Sequence, residues 1–491
     1  MNINKKIYKN KYPDAFTEYK PPNFNTKKTK YNKDLYKSFP TPIKNNNQKI
    51  IAKKIYKYFL RGSEHKLFMK YQQIYANDYS LSANIVIPYY DQYNDTMTDM
   101  ILLCDPRDCE RIAKTHLQKS THLKSIMVDS IISTDNNEQW KKQRQCFIST
   151  FNPLLTLHKI VPISQKRASE CPMLLRKLSR LNKDININDF FLNETQAQLQ
   201  LALFGTSDEF QEKTNKKIRN AFGTIGNKGY IRNTVFDFIK KINNDEFDGP
   251  LSKLLKTYNK TSDTELYGNI IVMLFAGHDT TGHTLTWLIF ELCKNIKYQK
   301  LLQKEVNDFW KTHNENENKN ININDFGQLK FMNLCISETL RLYPAVANGT
   351  YRQLEFDDYI HDKYNNKTLV PKGTYIQIPN LFRHRNPNLW KTPLEFNPNR
   401  QFTKNEIWTG KGFDGKNPES KRYSPFMYNS RSCIGKYFAQ IEMRLMLLYL
   451  MHEYTFILSP KQKRENIEFN MGTMGPHNGL LVNIISNKSM L

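Results

Sequence analysis

Pro425-Phe426-Met427-Tyr428-Asn429-Ser430-Arg431-Ser432-Cys433-Ile434-Gly435 runs straight into Lys436 to Leu450, a stretch with helical spacing. A cysteine in the loop just before a helix N-terminus meets free backbone N–H groups and the positive end of the helix dipole. Both favour a thiolate over a thiol. Gly435 lets the backbone turn close to a flat ligand, and Arg431 supplies a fixed cation. A solitary cysteine is ordinarily a small buried hydrophobe, but these neighbours point instead to a thiolate.

The rest of the chain must supply a body large enough to bury such a site. It has 491 residues, 39% apolar and 12% aromatic, enough for one large core. Mean hydropathy is −0.65 and the pI about 9.5. The net charge of +25 would suit nucleic acid, but no helix-turn-helix, zinc-finger or RNA-binding signature accompanies it. The first fifty residues hold twelve Lys against Asp14, Glu18 and Asp34, a local +9. Such an arm suits an anionic membrane surface or an acidic protein, or is a solvated tail. The cysteines at 104, 109, 146, 171, 293, 335 and 433 are scattered singly, without a CxxC pair. That pattern argues against disulfides and zinc and for a reducing compartment. The N-terminal sequence shows neither a secretory leader nor an apolar anchor. The expectation is a cytoplasmic protein, soluble or peripherally membrane-associated, and monomeric.

Periodicity predicts a mainly α chain with minor β structure. Residues 1–48 read as a basic polar extension, with Phe39-Pro40-Thr41-Pro42 extended, and 49–491 as a single domain. Helices are expected over Lys49–Leu60, from Asp105-Pro106 onward, and over Leu154–Leu181, Asn193–Phe204 and Gly435–His452. Strands are expected over Ile74–Pro88, Met100–Cys104, Thr368–Val370 and Tyr375–Pro379, with a closing β segment from Phe469 to Ile485. Asn314–Asn324 reads as a surface loop. Leu266 to Cys293 is long and apolar enough to suggest a membrane span. However, His278, Asp279, Thr280, Thr281 and His283 interrupt its centre, and an Asp in lipid costs several kcal/mol, at least ~2.5. A helix buried in a large protein fits better.

Two further constellations stand out. In Ala276-Gly277-His278-Asp279-Thr280-Thr281, Gly277 leaves room for a close approach to the backbone. Asp279 and Thr280 occupy positions where a core helix is normally apolar. Thr hydroxyls compete for helix hydrogen bonds, so the segment reads as a polar notch suited to proton relay. A satisfied Asp with a back-bonded Thr is the plainer alternative. Glu338-Thr339-Leu340-Arg341 puts opposite charges on one helix face, which alone says little.

In this order, the motifs resemble the cytochrome P450 superfamily over roughly Ile50 to Val482. Trp140-Lys141-Lys142-Gln143-Arg144 is similar to its WxxxR helix, Ala276–Thr281 to its oxygen-binding AGx(D/E)TT stretch, and Glu338–Arg341 to ExxR. Phe396-Asn397-Pro398-Asn399-Arg400 is similar to FxPxR, and Phe426, Arg431, Cys433 and Gly435 to FxxGxRxCxG. The resemblance implies haem b with Cys433 as axial thiolate, a ligation that favours O–O cleavage. It implies that Trp140, Arg144, Arg352 and Arg431 bind the haem propionates and that Phe426 and Gly435 shape the cofactor loop. It further implies Asp279 and Thr280 as catalytic proton-handling groups, and a structural triad of Glu338, Arg341 and Arg400. The expected activity is insertion of one oxygen atom of O2 into a small hydrophobic substrate, a lipid, fatty acid, sterol or terpenoid. Electrons would come from a separate reductase or ferredoxin, since no flavin, nicotinamide or iron–sulfur module follows.

The chain departs from the family pattern at three places. Asn429 replaces the usual glycine of the cysteine loop, a position Asn can fill because it tolerates left-handed backbone. The interval from Gly205 to Ala276 is short, so the lid (F–G) region is expected to be truncated or built of short helices. The N-terminal anchor of microsomal members is missing. Two alternatives remain, a haem-thiolate isomerase or dehydratase acting on peroxides, and a haem-binding protein without turnover. Thr280 weighs against the first. The shortened lid and Asn429 keep the second open. By family position the pocket would include Ile126–Ser133, Val272–Ala276, Ala345–Thr350 and Thr473–His477.

Overall fold

The computed structural model of the chain describes residues 23–42, 47–60, 63–78, 80, 82–91, 93–151, 154–223, 231–260, 262–315, 321–408, 419–462, 467–470 and 473–487. In chain order the helices are α1 (Lys33–Ser38), α2 (Gln48–Leu60), α3 (Glu64–Asp78), α4 (Pro106–Thr115), α5 (Lys124–Met127), α6 (Asn137–Phe151), α7 (Leu154–Leu181) and α8 (Ile187–Leu199). They continue with α9 (Asp208–Gly223), α10 (Ile231–Asn243), α11 (Pro250–Thr257), α12 (Asp263–Lys294), α13 (Ile296–Glu315), α14 (Lys330–Leu342), α15 (Asn380–His384) and α16 (Lys436–Glu453). The strands are β1 (Thr29–Lys30), β2 (Ile85–Asp91), β3 (Thr96–Leu102), β4 (Ile185–Asn186), β5 (Thr350–Gln353) and β6 (Asp358–His361). They are followed by β7 (Lys367–Val370), β8 (Tyr375–Ile378), β9 (Tyr454–Leu458), β10 (Ile467–Asn470), β11 (Thr473–Pro476) and β12 (Leu481–Ser486). Helix dominates, as the periodicity predicts.

Helix α12 is the axis of the molecule. The Ser262 side chain caps its N-terminus by accepting from Glu265 N at 3.2 Å. Almost every residue from Glu265 to Leu292 is buried against protein. Among the described residues no helix is long and apolar enough to cross a membrane, so the span-like stretch is an internal helix. Helix α8 lies along it at close range. A Cβ on Gly277 would meet Leu199 side-chain atoms at 2.6 and 2.7 Å, and one on Gly282 would meet Leu192 Cδ2 at 2.9 Å and its backbone at 3.1 Å. The close approach that Gly277 was expected to permit is therefore that of a neighbouring helix. Thr195 of α8 also donates to the His278 carbonyl at 2.9 Å, a backbone acceptor inside α12.

A mixed sheet runs in the order β1-β3-β8-β5, with β2 paired antiparallel to β3. It carries Arg352 on β5, opposite Ile376 of β8. Strand β1 pairs with β3 in parallel, Asn32 N donates to Asp99 at 2.6 Å, and Leu35 and Phe39 are buried. Residues 29–39, assigned from sequence to a polar extension, thus belong to the folded unit: their few apolar side chains complete the core beneath the sheet. Residues 1–22 of that extension lie outside the described residues. A three-stranded sheet, β4-β12-β9, closes the chain.

The stretch Ile74–Pro88 is also not one strand. Helix α3 runs to Asp78, and the strand begins only at Ile85. Leu67, Phe68 and Tyr71 bury one face of α3, a helical spacing that the aromatic and β-branched residues after it obscured. The predicted Asn193–Phe204 helix starts earlier, at Ile187, and ends in a π-helical turn at Gln200–Phe204. Asn314–Asn324 is in part helical at its edges, through α13 and a 3-10 turn at Ile323–Gly327; residues 316–320 lie outside the described residues. Three short helices, α9 to α11, occupy the interval after Gly205. Phe210 of α9 and Phe238 of α10 pack edge to face with each other and with Phe204 and Phe247 in the flanking segments, with centroids 5.0–5.4 Å apart. Short helices thus fill the interval where the lid was expected.

Adding a methyl group at Gly282 forces it into the Leu192 backbone, whereas at Gly277 only the flexible end of Leu199 must give. Gly282→Ala is expected to lower stability by about 1–3 kcal/mol and Gly277→Ala by less. Urea unfolding midpoints at constant m-value check the order.

Candidate active site

The cysteine loop is built on two left-handed residues, Met427 (φ 63°) and Asn429 (φ 47°). Asn429 therefore takes the conformation that a glycine would otherwise supply. Cys433 N donates to the Phe426 carbonyl at 2.9 Å, and Arg144 donates to the Ser432 carbonyl at 2.7 Å. These two bonds tie the loop to itself and to α6. Gly435 has φ −83° and ψ 8°, which any residue adopts. A Cβ there would meet Cys433 Sγ and Phe151 only at 4.0 Å, an ordinary contact. The backbone turn itself does not require glycine at 435.

The Cys433 side chain keeps solvent access, with protein packed around it. Burial raises its thiol pKa above the ordinary value, against the Gly435 N–H, Arg144 and Lys436, which lower it. The helix terminus does act as the sequence suggested, but desolvation outweighs it. A coordinated metal ion would favour the thiolate.

Beside the loop lies an excess of buried cations. The Arg431 guanidinium sits 3.9 Å from the Trp140 ring, donates to Ile131 O at 3.4 Å and to Asn137 at 3.2 Å, and has no partner for Nε. Arg352, on β5, donates to Thr350 Oγ1 at 2.8 Å and also leaves Nε without a partner. Lys119 donates to the same Thr350 hydroxyl. Burial and the charges of Arg352 and Arg431 push the Lys119 ammonium well below its usual pKa. Burial, together with Arg352 and Arg144, lowers Arg431 to about 8. Glu355 is the acid nearest to this group, and it is committed to Leu117 N at 2.5 Å, Gln118 N at 3.1 Å and Asn137 at 2.6 Å. Cations that repel one another with unused donors fit an anion carrying carboxylates. The residues present therefore fit a cofactor that carries carboxylates, as haem does. Lys119 was missed in the sequence. It belongs to no short motif and becomes visible only through its shared partner Thr350, more than two hundred residues away.

Behind the site, Glu338 is fully buried. Arg341 donates to its two oxygens at 2.7 and 2.9 Å, Arg400 to Oε1 at 2.7 Å, and Asn397 N at 2.9 Å. Arg341 also holds the carbonyls of His384, Pro393 and Glu395 at 2.7, 2.8 and 3.2 Å. One carboxylate thus fixes α14, the turn after α15 and the segment leading to the cysteine loop.

On α12 the structure separates two residues that the sequence grouped. Thr280 Oγ1 donates to Ala276 O at 3.0 Å, one turn back. The Asp279 carboxylate points elsewhere, to Thr473 of β11, which donates to it. Burial raises Asp279 to about 6, opposed by His278 and by the Thr473 hydrogen bond. Neighbours at i and i+1 on a helix do not face each other, and the hydroxyl and the acid accordingly look in different directions.

With this geometry on the page, the comparison with known proteins is direct. The family profile for Cytochrome P450 matches residues 231–483, from α10 through β11 and into β12. The chain belongs to this family, and it is a cytochrome P450 monooxygenase, an oxidoreductase. It is similar to cytochrome P450 3A12 of Canis lupus familiaris, 28% identical over 371 residues, covering 67% of this chain and 70% of the relative. It is likewise similar to cytochrome P450 3A29 of Sus scrofa, 33% identical over 205 residues (42% of this chain, 37% of the relative). Cytochrome P450 3A6 of Oryctolagus cuniculus is 29% identical over 243 residues, covering 49% of this chain and 44% of the relative. With these last two the chain aligns over less than half of the relative's length.

Glu338→Gln leaves two buried guanidinium groups facing an uncharged amide. Breaking such a cluster is expected to cost about 3–5 kcal/mol. The measurement is the denaturant midpoint of the variant against Arg400→Lys, which keeps the charge and is expected to lose less.

Proposed function

We propose that the chain hydroxylates a small hydrophobic molecule (a lipid, fatty acid, sterol or terpenoid) using O2 and electrons from a separate reductase or ferredoxin. The observation that carries this reading is the juxtaposition of Cys433, in the loop before α16, with the partner-poor cations Arg352 and Arg431. One residue set suits an iron ligand and the other suits the carboxylates of the same cofactor. Haem b, when bound with a thiolate, supplies the electron-rich iron at which dioxygen is activated.

The chain's own residues do the remaining work. Cys433 would hold the iron, and the Phe426 carbonyl and Arg144 fix the loop that presents it. Arg144, Arg352 and Arg431 would bind propionate, Trp140 stacks on Arg431, and Lys119 adds a further charge. Thr280, whose hydroxyl donates to Ala276 O at 3.0 Å, would supply a hydroxyl for proton delivery, and Asp279 would hold and release a proton at its carboxylate. Glu338, Arg341 and Arg400 keep the proximal side rigid. Substrates are taken to be hydrophobic because Ala276-Gly277-His278-Asp279-Thr280-Thr281 is similar to fatty-acid hydroxylase-like members, whereas sterol demethylases usually carry His at the acid position. The Lys-rich N-terminal segment would make a peripheral contact with an anionic membrane surface, and the protein would act as a monomer.

Two measurements check this. The reduced protein with carbon monoxide should show the red-shifted thiolate band, and its absence in haem-loaded protein would contradict the ligand assignment. Thr280→Ala should release more peroxide per electron pair consumed, as expected when a proton-transfer group is lost. Unchanged coupling would remove Thr280 from the proton path.

A further inference from the structure

The Asp279 carboxylate is enclosed by two imidazoles of its own helix and one hydroxyl from a distant strand. Thr473 of β11 donates to Oδ2. On the same side His283 Nδ1 lies 3.8 Å from Oδ2 and 3.3 Å from Thr473 Oγ1. On the other side His278 Nε2 stands 4.0 Å from Oδ1, its Nδ1 bonded to Leu274 O at 2.6 Å. The other charged groups of the neighbourhood are Arg219 of α9, which acts on His278, and Glu194 of α8, which Arg167 holds at 2.8 Å.

Hydrogen accounting fixes the direction of this chain. The Thr473 hydroxyl has one proton, and it points at Asp279. Its oxygen can therefore only accept from His283, which must carry its proton on Nδ1. His283 Nε2 is then a bare lone pair, buried and without a hydrogen-bond partner. Gly475, two residues along the same strand, lies flat on the ring, and any Cβ there would come within 2.3 Å of Nε2 and 2.6 Å of Cδ2 and Cε1. Strand β11 is itself held on both sides, by Trp287 Nε1 to Met474 O at 2.9 Å and by Met474 N to Ala345 O at 2.8 Å. Burial holds His283 down at about 4, so near neutral pH it is an uncharged donor that aligns the Thr473 hydroxyl.

We infer that His283 and Thr473 are positioning residues for Asp279: His283 orients the Thr473 hydroxyl, which pins the Asp279 carboxylate to β11 in its ionised form. This rests on the reading of Asp279 as the proton-handling acid and names what sets that acid's direction and strength. A hydrogen bond given to a carboxylate favours the charged form, so losing it must make Asp279 a weaker acid.

The test uses the haem-loaded full chain and follows the Asp279 carboxyl by infrared pH titration, with Asp279→Asn identifying its band. Peroxide released per product is measured in parallel. Thr473→Val and His283→Leu should each move the carboxyl midpoint upward, weakening the acid at least about three-fold, and raise the peroxide share at neutral pH. Thr473→Ser and His283→Asn, which restore the hydroxyl and a donor at the Nδ1 position, should bring both readouts back toward the parent and show that folding is not at issue. If Asp279→Asn uncouples the enzyme while Thr473→Val and His283→Leu leave the midpoint and the peroxide share unchanged, the inference is wrong and the acid reading stands. If Asp279→Asn itself leaves coupling unchanged, the acid reading fails and the positioning role goes with it.

Discussion

Everything in this molecule is arranged around a helix that has almost no surface. Helix α12 passes through the protein with nearly all of Glu265 to Leu292 buried, so each polar atom on it needs a partner from another part of the chain. Those partners come from far away: Thr195 for the His278 carbonyl, Asn188 for Thr286, Thr473 for Asp279 and Met474 O for the Trp287 indole. An apolar helix would pack as well without them. The polar notch ties α12 to α8 and β11 and places an acid, two histidines and several hydroxyls in the interior.

A second constraint acts from the opposite side. Trp140, Arg144, Arg352 and Arg431 come from three separated segments, and they converge with Lys119 on one place with little acid to neutralise them. Buried like charges are unfavourable unless a counter-charge is present. The ion cluster of Glu338 with Arg341 and Arg400 is, by contrast, balanced by hydrogen bonds to backbone carbonyls. One cluster is complete in the protein, and the other is suited to an anionic cofactor. This difference separates a structural charge network from a binding site, even though both are rich in arginine.

How much of this could be read beforehand differs from element to element. Helices α7 and α16 were legible because their apolar periodicity is long, and α4 because Asp105-Pro106 is a strong start signal, realised as an Asp105 cap accepting from Arg107 N at 2.8 Å. The α3 helix was obscured by the aromatic and β-branched residues around Ile74. The role of residues 29–39 was hidden because a strand of two residues carries no periodicity at all. Within the site, Cys433, Asp279 and Glu338 stood out through local motifs. Lys119 did not, and His283 and Thr473 were noticed only as a polar interruption and as part of a pocket segment, because each acquires its meaning from a partner that only the folded chain brings near. At Gly277 the close approach was legible but its partner, Leu199 of α8, was not, because glycine signals close approach without naming what approaches.

The central claim is that Cys433 supplies the sulfur ligand of a haem held by the cations around it. Iron K-edge X-ray absorption on the haem-loaded ferric protein tests it most directly. The account predicts one sulfur scatterer in the first coordination shell together with the porphyrin nitrogens, and its replacement by a light atom in Cys433→His. A first shell containing nitrogen and oxygen only in the parent protein, or sulfur persisting in the variant, would contradict it.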